Sequence, residues 1–424
     1  MKRALFYGYL VSNIALTAGI TSCSSLEEDK IIPSGERHGP KQIELTQETR
    51  STAQDLNDFY FRFTTDMTKH IDSESNGDKN VIVSPLSAAM TLGMVANGID
   101  DTSKKAITDY LGTENIAALN SLCQTLLSEL PVTDNLTNLM MANSFWLNHD
   151  MNISLEDNFA STIKVFYGSE TGCLNFSSDP ANSLNTINSW CYSNTNGLIP
   201  EYFKEIDPNI FAIALNAMYF NAPWDGSLFS ADDTKSDIFQ GAAGDSDILM
   251  MHMAEKPTPY AANDTFEYFS LPLGNSTFHM RVILPKNGVS LSQATELIDG
   301  KLISLLKKES EYVTLTLDFP KFNTEESYSL SDMFDKIGLK YLSSESKLTM
   351  FNSETIGDVT FHQATSFNVD EKGAEMAAVS SGEIYDSAAV AQKAVSVKAD
   401  RPFFFFIEEF STGACILSGR IADL

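Results

Sequence analysis

Apolar residues recur at helical spacing from Thr52 onward. Leu56, Phe59, Tyr60, Phe63 and Met67 share one face, which predicts a first amphipathic helix opening the folded part. Next comes Asn80-Val81-Ile82-Val83-Ser84-Pro85-Leu86-Ser87-Ala88-Ala89-Met90. Ser84 suits a helix cap and Pro85 the first helical turn, so a helix is expected to run to about Asn97 and stop at Gly98. It is apolar almost all round and should be buried. Another helix, from about Ser103 to Leu111, ends at Gly112. Leu139 to Leu147 reads as a strand with Asn143 and Trp146 inside it, and His279 to Pro285 as a strand with an apolar alternate face. Tyr312 to Phe319 alternates cleanly, which places Val313, Leu315, Leu317 and Phe319 inward. A short helix carries Leu330, Met333, Phe334 and Ile337 and ends at Gly338. Phe403 to Ile407 and Ala414 to Ile421 form a last strand pair, joined by a turn ending at Gly413. Helices and strands are mixed, with no internal repeat and no second domain.

Asp370 to Pro402 stands apart. Its side chains are mostly small, yet it lacks the Pro, Asn and Gly clustering of ordinary turns. Ordered loops of this length are uncommon and often functional. With a period of two, Ala374, Met376, Ala378, Ser380, Gly382 and Ile384 form an uncharged, mostly small face. Glu375, Ala377, Val379, Ser381, Glu383 and Tyr385 form the other. A strand buries one such face and shows the other to water, so the loop also suits the middle of a sheet. A permanent strand, or a helix favoured by Glu375, Met376 and the alanines, is the plainer alternative.

Composition adds limits. The chain is 43% hydrophobic, enough for a large core. A net charge of −27 without a basic cluster argues against a nucleic-acid or polyanion partner and fits a soluble acidic surface. Lys2 and Arg3 precede an apolar stretch from Ala4 to Ile20, followed by Thr21, Ser22 and Cys23, the pattern of a secretion signal over residues 1–22. Residues 23–50, with Pro33, Gly35, Gly39 and Pro40, read as a polar tether before a domain spanning 51–424. Cys123, Cys173, Cys191 and Cys415 are too few for a disulfide framework and read as small buried hydrophobes. The sequence contains no His-Glu-x-x-His, paired Cys-x-x-Cys or EF-hand pattern, no phosphate-cradling Gly-x-x-x-x-Gly-Lys loop and no Gly-x-Ser-x-Gly elbow. Neither a metal, a cofactor nor an enzymatic nucleophile is therefore expected.

Two resemblances sharpen this reading. Cys23, following the signal, resembles the acceptor of a bacterial lipoprotein, and Ser24-Ser25-Leu26-Glu27-Glu28-Asp29 is similar to acidic tags that send some Gram-negative lipoproteins to the outer surface. This implies lipid anchoring at the cell envelope, at the outer membrane or cell surface; an unlipidated secreted form, with an incidental cysteine, is the alternative. No later stretch is long and apolar enough to span a membrane.

The run Glu371-Lys372-Gly373-Ala374-Glu375-Met376-Ala377-Ala378-Val379-Ser380 lies between Val369-Asp370 and Asp400-Arg401-Pro402-Phe403. It resembles the hinge of serpins, the fold of many serine-protease inhibitors. Ser84 and Ser87, Ala142-Asn143, Ile187 to Trp190 continuing as a helix to Ile199, Ile213 to Phe220 with Trp224, and Pro320-Lys321-Phe322 match further family segments. The resemblance covers residues 52–424. It implies an α+β serpin fold, with about three β-sheets, about eight or nine helices and an exposed reactive-centre loop. It also implies a monomer acting as a suicide substrate rather than an enzyme.

In that reading the hinge is Glu371, Gly373, Ala374, Glu375, Met376, Ala377 and Ala378, and Met376 stands where alanine is usual. Ser84, Ser87 and Asn216 lie behind the main sheet, and Trp224 lies at its top. A histidine that bonds the Asn would be His362 by residue type; the family's spacing to the hinge glycine selects Gln363 instead. Counting from Gly373 puts the reactive bond at Ser387-Ala388, within a window from Ile384 to Val390. Its small residues suit an elastase-like serine protease. A papain-like cysteine protease is a second candidate, and a non-inhibitory binding or carrier protein is the alternative reading.

Overall fold

The structure, a computed structural model, describes residues 39–339, 348–352, 358–373 and 393–424. In chain order the helices are α1 (Gln47–Glu74), α2 (Pro85–Ala96), α3 (Asp101–Leu111), α4 (Ile116–Glu129), α5 (Asp157–Tyr167), α6 (Pro180–Asn194), α7 (Leu291–Leu297), α8 (Gly300–Glu309) and α9 (Ser331–Phe334). The strands are β1 (Val81–Val83), β2 (Asn138–Asn148), β3 (Glu170–Leu174), β4 (Ala212–Asn221), β5 (Lys235–Gln240), β6 (Asp245–Ala262) and β7 (Phe266–Leu273). After them come β8 (Phe278–Pro285), β9 (Glu311–Pro320), β10 (Phe322–Ser329), β11 (Val359–Val369), β12 (Ala394–Lys398), β13 (Phe403–Glu409) and β14 (Cys415–Ile421). This is the expected α+β architecture, with nine α-helices among the described residues.

The fold begins before residue 51. Thr46 caps α1, its hydroxyl accepting from the Thr49 N–H at 3.2 Å, and Ile43 is already in the core. The first turn of α1 is polar, so the apolar period becomes visible only one turn later. Helix α6 likewise starts earlier and ends earlier than the expected span from Ile187 to Ile199. Its cap is Asp179, and its first turns carry Asn182, Ser183, Asn185 and Thr186. It stops at Asn194 because Asn196 and Gly197 both take positive φ. Helix α2 behaves as its sequence demands: Ser84 caps it, Pro85 opens it and every residue is buried.

Two hydrogen-bonded sheets organise the described strands. The smaller runs β10-β11-β4-β2-β3. The larger runs β1-β14-β13-β8-β7-β6-β9-β12, with β5 paired to β6. The long strand β6 joins what would otherwise be separate sheets. It pairs with β9 from Met250 to Tyr260 and with β7 from Tyr260 to Ala262, with a register shift between Met253 and Lys256.

The main core lies between the sheets and α1–α5. A second cluster packs α6 onto the opposite face of the smaller sheet, where Ile187, Trp190 and Cys191 meet Trp146, Ile213, Leu215 and Ala217. Strand β4 is therefore buried on both faces.

On the larger sheet, Glu408 is buried with Arg281 and with Lys307, whose Nζ donates to its carboxylate at 2.6 and 2.7 Å. Burial alone would raise the Glu408 pKa, but Lys307 and Arg281 hold it below the usual carboxylate range. Glu408→Ala strands two cations in apolar surroundings and should cost about 3–5 kcal/mol. A urea midpoint unchanged from wild type would contradict this.

Candidate functional site

Strands β4 and β11 are the parallel neighbours at the centre of the smaller sheet, paired from Val359↔Ala212 to Ser366↔Tyr219. Their other neighbours in that sheet, β2 and β10, are antiparallel to them. Parallel pairing is somewhat weaker per residue, which makes this seam the natural place for the sheet to part. Above Ser366 and Tyr219 the ladder ends. A cavity of about 190 Å³ lies there, lined by Tyr219, Phe220, Asn221, Ser366 and Asn368 among others.

The chain then turns back on itself. Asp370 N–H donates to Gly373 O at 3.0 Å and Gly373 N–H to Asp370 O at 3.1 Å, which closes a tight turn above β11. The Asp370 carboxylate accepts from Lys372 N–H at 2.8 Å inside that turn. Gly373 also bridges antiparallel to Pro223, just beyond β4. Trp224 fastens the turn: its N–H donates to Lys372 O at 3.2 Å and its indole to Asp370 O at 2.8 Å. Its ring packs against Phe229 at 5.5 Å. Glu371 accepts from Lys321 Nζ at 2.9 Å and from the Thr234 hydroxyl at 2.8 Å. Partial burial would raise its pKa, but these donors hold it below the usual range.

Behind the seam lies a buried polar relay. Gln363 clasps the start of α2: its Nε2 donates to Ser84 O and its Oε1 accepts from Ser84 N–H, both at 2.8 Å. The Ser84 hydroxyl donates to Ser87 Oγ at 2.9 Å. Asn216 Nδ2 donates to Asn143 Oδ1 at 2.9 Å, and Asn143 Nδ2 to Tyr167 O at 2.8 Å.

The structure thus brings Ser84, Ser87, Asn216, Trp224, Glu371 and Gly373 to one seam. His362 is the correction: Gln363 occupies the place behind the sheet, because neighbouring residues of a strand point to opposite faces. The His362 ring lies on the α6 side instead, against Tyr202 and Phe203 at 5.8 and 4.8 Å, and the Tyr202 hydroxyl lies 3.4 Å from its Nδ1. Of the two alternatives the sequence left open, spacing to Gly373 selects the residue found here, Gln363. Lys321, Thr234 and Tyr202 were not singled out for these roles from the sequence; no local signal couples Lys321 to Glu371. Ala374, Glu375, Met376, Ala377, Ala378, Ser387, Ala388 and Cys23 lie outside the described residues. The cysteine expectation holds for Cys123, Cys191 and Cys415, whereas Cys173 is exposed on the edge strand β3.

Burial pushes the His362 pKa down to about 4, and burial with Arg281 does the same to His279. The unfolded chain, with histidine near 6.5, then binds protons more readily than the native state. The contribution of these two histidines should be full above pH 6.5, fall as pH drops toward 4 and level off below. His362 contributes roughly 3 kcal/mol of that loss. Urea midpoints at pH 7 and 4.5 check this: His362→Leu should lose less on acidification than wild type, and an equal loss would contradict the assignment.

Comparison with known proteins agrees with this geometry. Residues 60–424 match the family model described as serpin (serine protease inhibitor). An uncharacterized serpin-like protein of Thermococcus kodakarensis is 29% identical over 366 residues, covering 85% of this chain and 84% of its own. Leukocyte elastase inhibitor A of Mus musculus is 25% identical over 363 residues, covering 83% of this chain and 95% of its own. The crystal structure of tengpin, a thermophilic serpin in the native state, superposes with a TM-score of 0.76 at 23% identity, covering 93% of this chain and 99% of that one. The likeness to tengpin extends the match to the fold, and the family model spans most of the chain: it belongs to the serpin family, whose members are generally protease inhibitors rather than enzymes.

Proposed function

We propose that this serpin traps an elastase-like serine protease as a suicide substrate. The protease serine oxygen attacks the Ser387 carbonyl and the Ser387-Ala388 bond breaks. The Ala388 amine leaves with a proton, and an ester joins the two proteins. The freed arm then inserts between β4 and β11 and carries the protease along before water can cleave the ester. One observation carries this reading: Gly373 is already paired on both sides, to Asp370 and to Pro223, at the head of the parallel seam. The small residues around Ser387 and Ala388 supply the elastase preference.

The test mixes residues 37–424, the compact unit, with pancreatic or neutrophil elastase. A heat- and SDS-stable band at the summed mass is expected, with Ala388 as the first residue of the released peptide. A stable band only with a papain-like protease would move the target class. A cut loop without a stable band across elastase-, chymotrypsin-, trypsin- and papain-like proteases would favour a non-inhibitory binding or carrier role.

We also propose that Cys23 carries a lipid anchor holding the inhibitor at the cell envelope of a Gram-negative bacterium. The support is the basic and apolar segment before it and the acidic segment after it. Cys23→Ala should then shift the protein from the membrane to the soluble fraction.

A further inference from the structure

Helix α6 and the segment after it lie across one face of the smaller sheet, opposite the face that α2 covers. The helix itself packs on one side of the seam, where Ile187, Trp190 and Cys191 meet β2 and β4. The chain beyond its end reaches the other side. There the Tyr202 hydroxyl donates to Tyr328 O on β10 at 2.9 Å and lies 3.4 Å from Gln363 O on β11. The rings of Tyr202 and Phe203 rest edge-on against His362 of β11. A phenol has one hydrogen, so the short bond to Tyr328 O is the firm one. Burial pushes the Tyr202 pKa up, and the hydroxyl keeps its proton and stays a donor.

A second contact ties this crossing to the helix. Asn188 of α6 grips residue 203 with both ends of its amide: Nδ2 donates to Phe203 O and Oδ1 accepts from Phe203 N–H, each at 2.8 Å. The path from one half of the sheet to the other therefore runs from β4 through α6, Asn188, Phe203 and Tyr202 to β10 and β11. The chain then returns to β4, and Asn148 of β2 pins that return, its Nδ2 donating to Pro208 O and Ile210 O at 2.9 Å each. Within the sheet, β4 and β11 are joined by their parallel ladder. Across its face they are joined a second time, because one half carries α6 and the other carries Tyr202. The two links, Asn188 to Phe203 and Tyr202 to Tyr328, stand in series.

We propose that Tyr202 is a positioning residue: with Asn188 it straps the two halves of the smaller sheet together, and release of this strap sets how readily β4 and β11 part. The consequence for trapping a protease rests on the inhibitory reading above; the strap itself does not.

The experiment measures amide hydrogen exchange by mass spectrometry on the intact full chain, for wild type, Tyr202→Phe, Asn188→Ala and the double variant. Tyr202→Phe removes one hydroxyl and keeps the ring. Amides of residues 212–219 and 359–366 should then exchange roughly two- to tenfold faster, since opening must break the lost bond. Those of Phe278–Pro285 and Phe403–Glu409 in the larger sheet should keep the wild-type rate. Links in series fail at the first break, so the double variant should be no faster than the faster single variant. Equal seam exchange in Tyr202→Phe and wild type overturns the strap. So does an equal acceleration in both sheets, which marks a general loss of stability, and so do multiplied effects in the double variant, which mark two independent contacts. If Asn188→Ala does not fold, Tyr202→Phe and the comparison between sheets decide alone. With a protease that gives the stable band, the limiting rate of complex formation at saturating protease should rise by the same roughly two- to tenfold; an unchanged rate overturns the strap's part in trapping. If no protease gives the band, the inhibitory reading fails while exchange still decides the strap.

Discussion

A single cut between Ile384 and Val390 should raise the melting temperature by roughly 20 °C. Freed at its far end, the segment beyond Gly373 can pair with β4 on one side and β11 on the other. About ten new backbone hydrogen bonds at ~1 kcal/mol each give roughly 10 kcal/mol, and at about 2 °C per kcal/mol that is a shift of this size. The weaker parallel pairing of Val359–Ser366 with Ala212–Tyr219 is exchanged for two antiparallel ladders. Burial of Ala374, Met376, Ala378 and Ile384 adds to the gain. Counted three residues on from the antiparallel bridges of Gly373 to Pro223 and Asp370, an inserted strand would put Met376 level with Phe220 and Phe367, next to the cavity beyond the end of the β4–β11 ladder. The larger side chain thus meets the sheet where it is least closed, which lessens an overpacking cost of about 1–3 kcal/mol. Circular dichroism melts of intact and cut protein decide the matter. A change of only a degree or two would mean that the loop stays out and that the fold serves a binding role.

Gly373→Ala should convert the inhibitor into a substrate. Gly373 has φ +107°, a conformation that side chains resist, and an added Cβ would press on the backbone of Ala222, Pro223 and Trp224. The turn would have to move, and Trp224 would lose its bonds to Lys372 O and Asp370 O, a cost of about 2–3 kcal/mol. Insertion competes with hydrolysis of the acyl-enzyme. A penalty of about 2 kcal/mol on its barrier slows it roughly 30-fold, and most cleaved molecules would release an active protease. Titrating protease with increasing variant reads this as a steep rise in stoichiometry with unchanged loop cleavage. A stoichiometry equal to wild type would show that the turn is not where insertion starts.

Local signals made much of this fold legible. Ser84-Pro85 and Gly98 bracket α2 because cap, first turn and stop are each encoded by adjacent residues. Tyr312 to Phe319 reads as a strand because one of its faces is core. The starts of α1 and α6 were hidden because their first turns are polar, and residue type drew attention to His362 where strand parity and spacing place Gln363. The joining of the larger sheet was hidden too. Strand β6 carries Pro257 and Pro259, residues that cannot donate to a ladder, yet it continues through a register shift. Cys173 looked like core because a short strand gives no sign that it lies at a sheet edge. At the seam, Ser84, Ser87, Asn216 and Trp224 were found by resemblance to family segments. The Lys321–Glu371 and Thr234–Glu371 contacts join residues far apart in the chain and could not be read from it.

The positions of the three tryptophans give the molecule an optical clock. Trp224 is bonded to the turn at the upper end of the seam. Trp146 and Trp190 lie 6.4 Å apart near the lower end, where Trp146 pairs with Ile213 and Trp190 packs from α6. A strand zipping downward from the Gly373–Pro223 bridge passes Trp224 at once and reaches the level of Ile213 only ten residues later. Emission from the upper indole should therefore change at the start of insertion and emission from the lower pair at its completion. The delay between them would time the passage of the strand along the whole sheet without any added label.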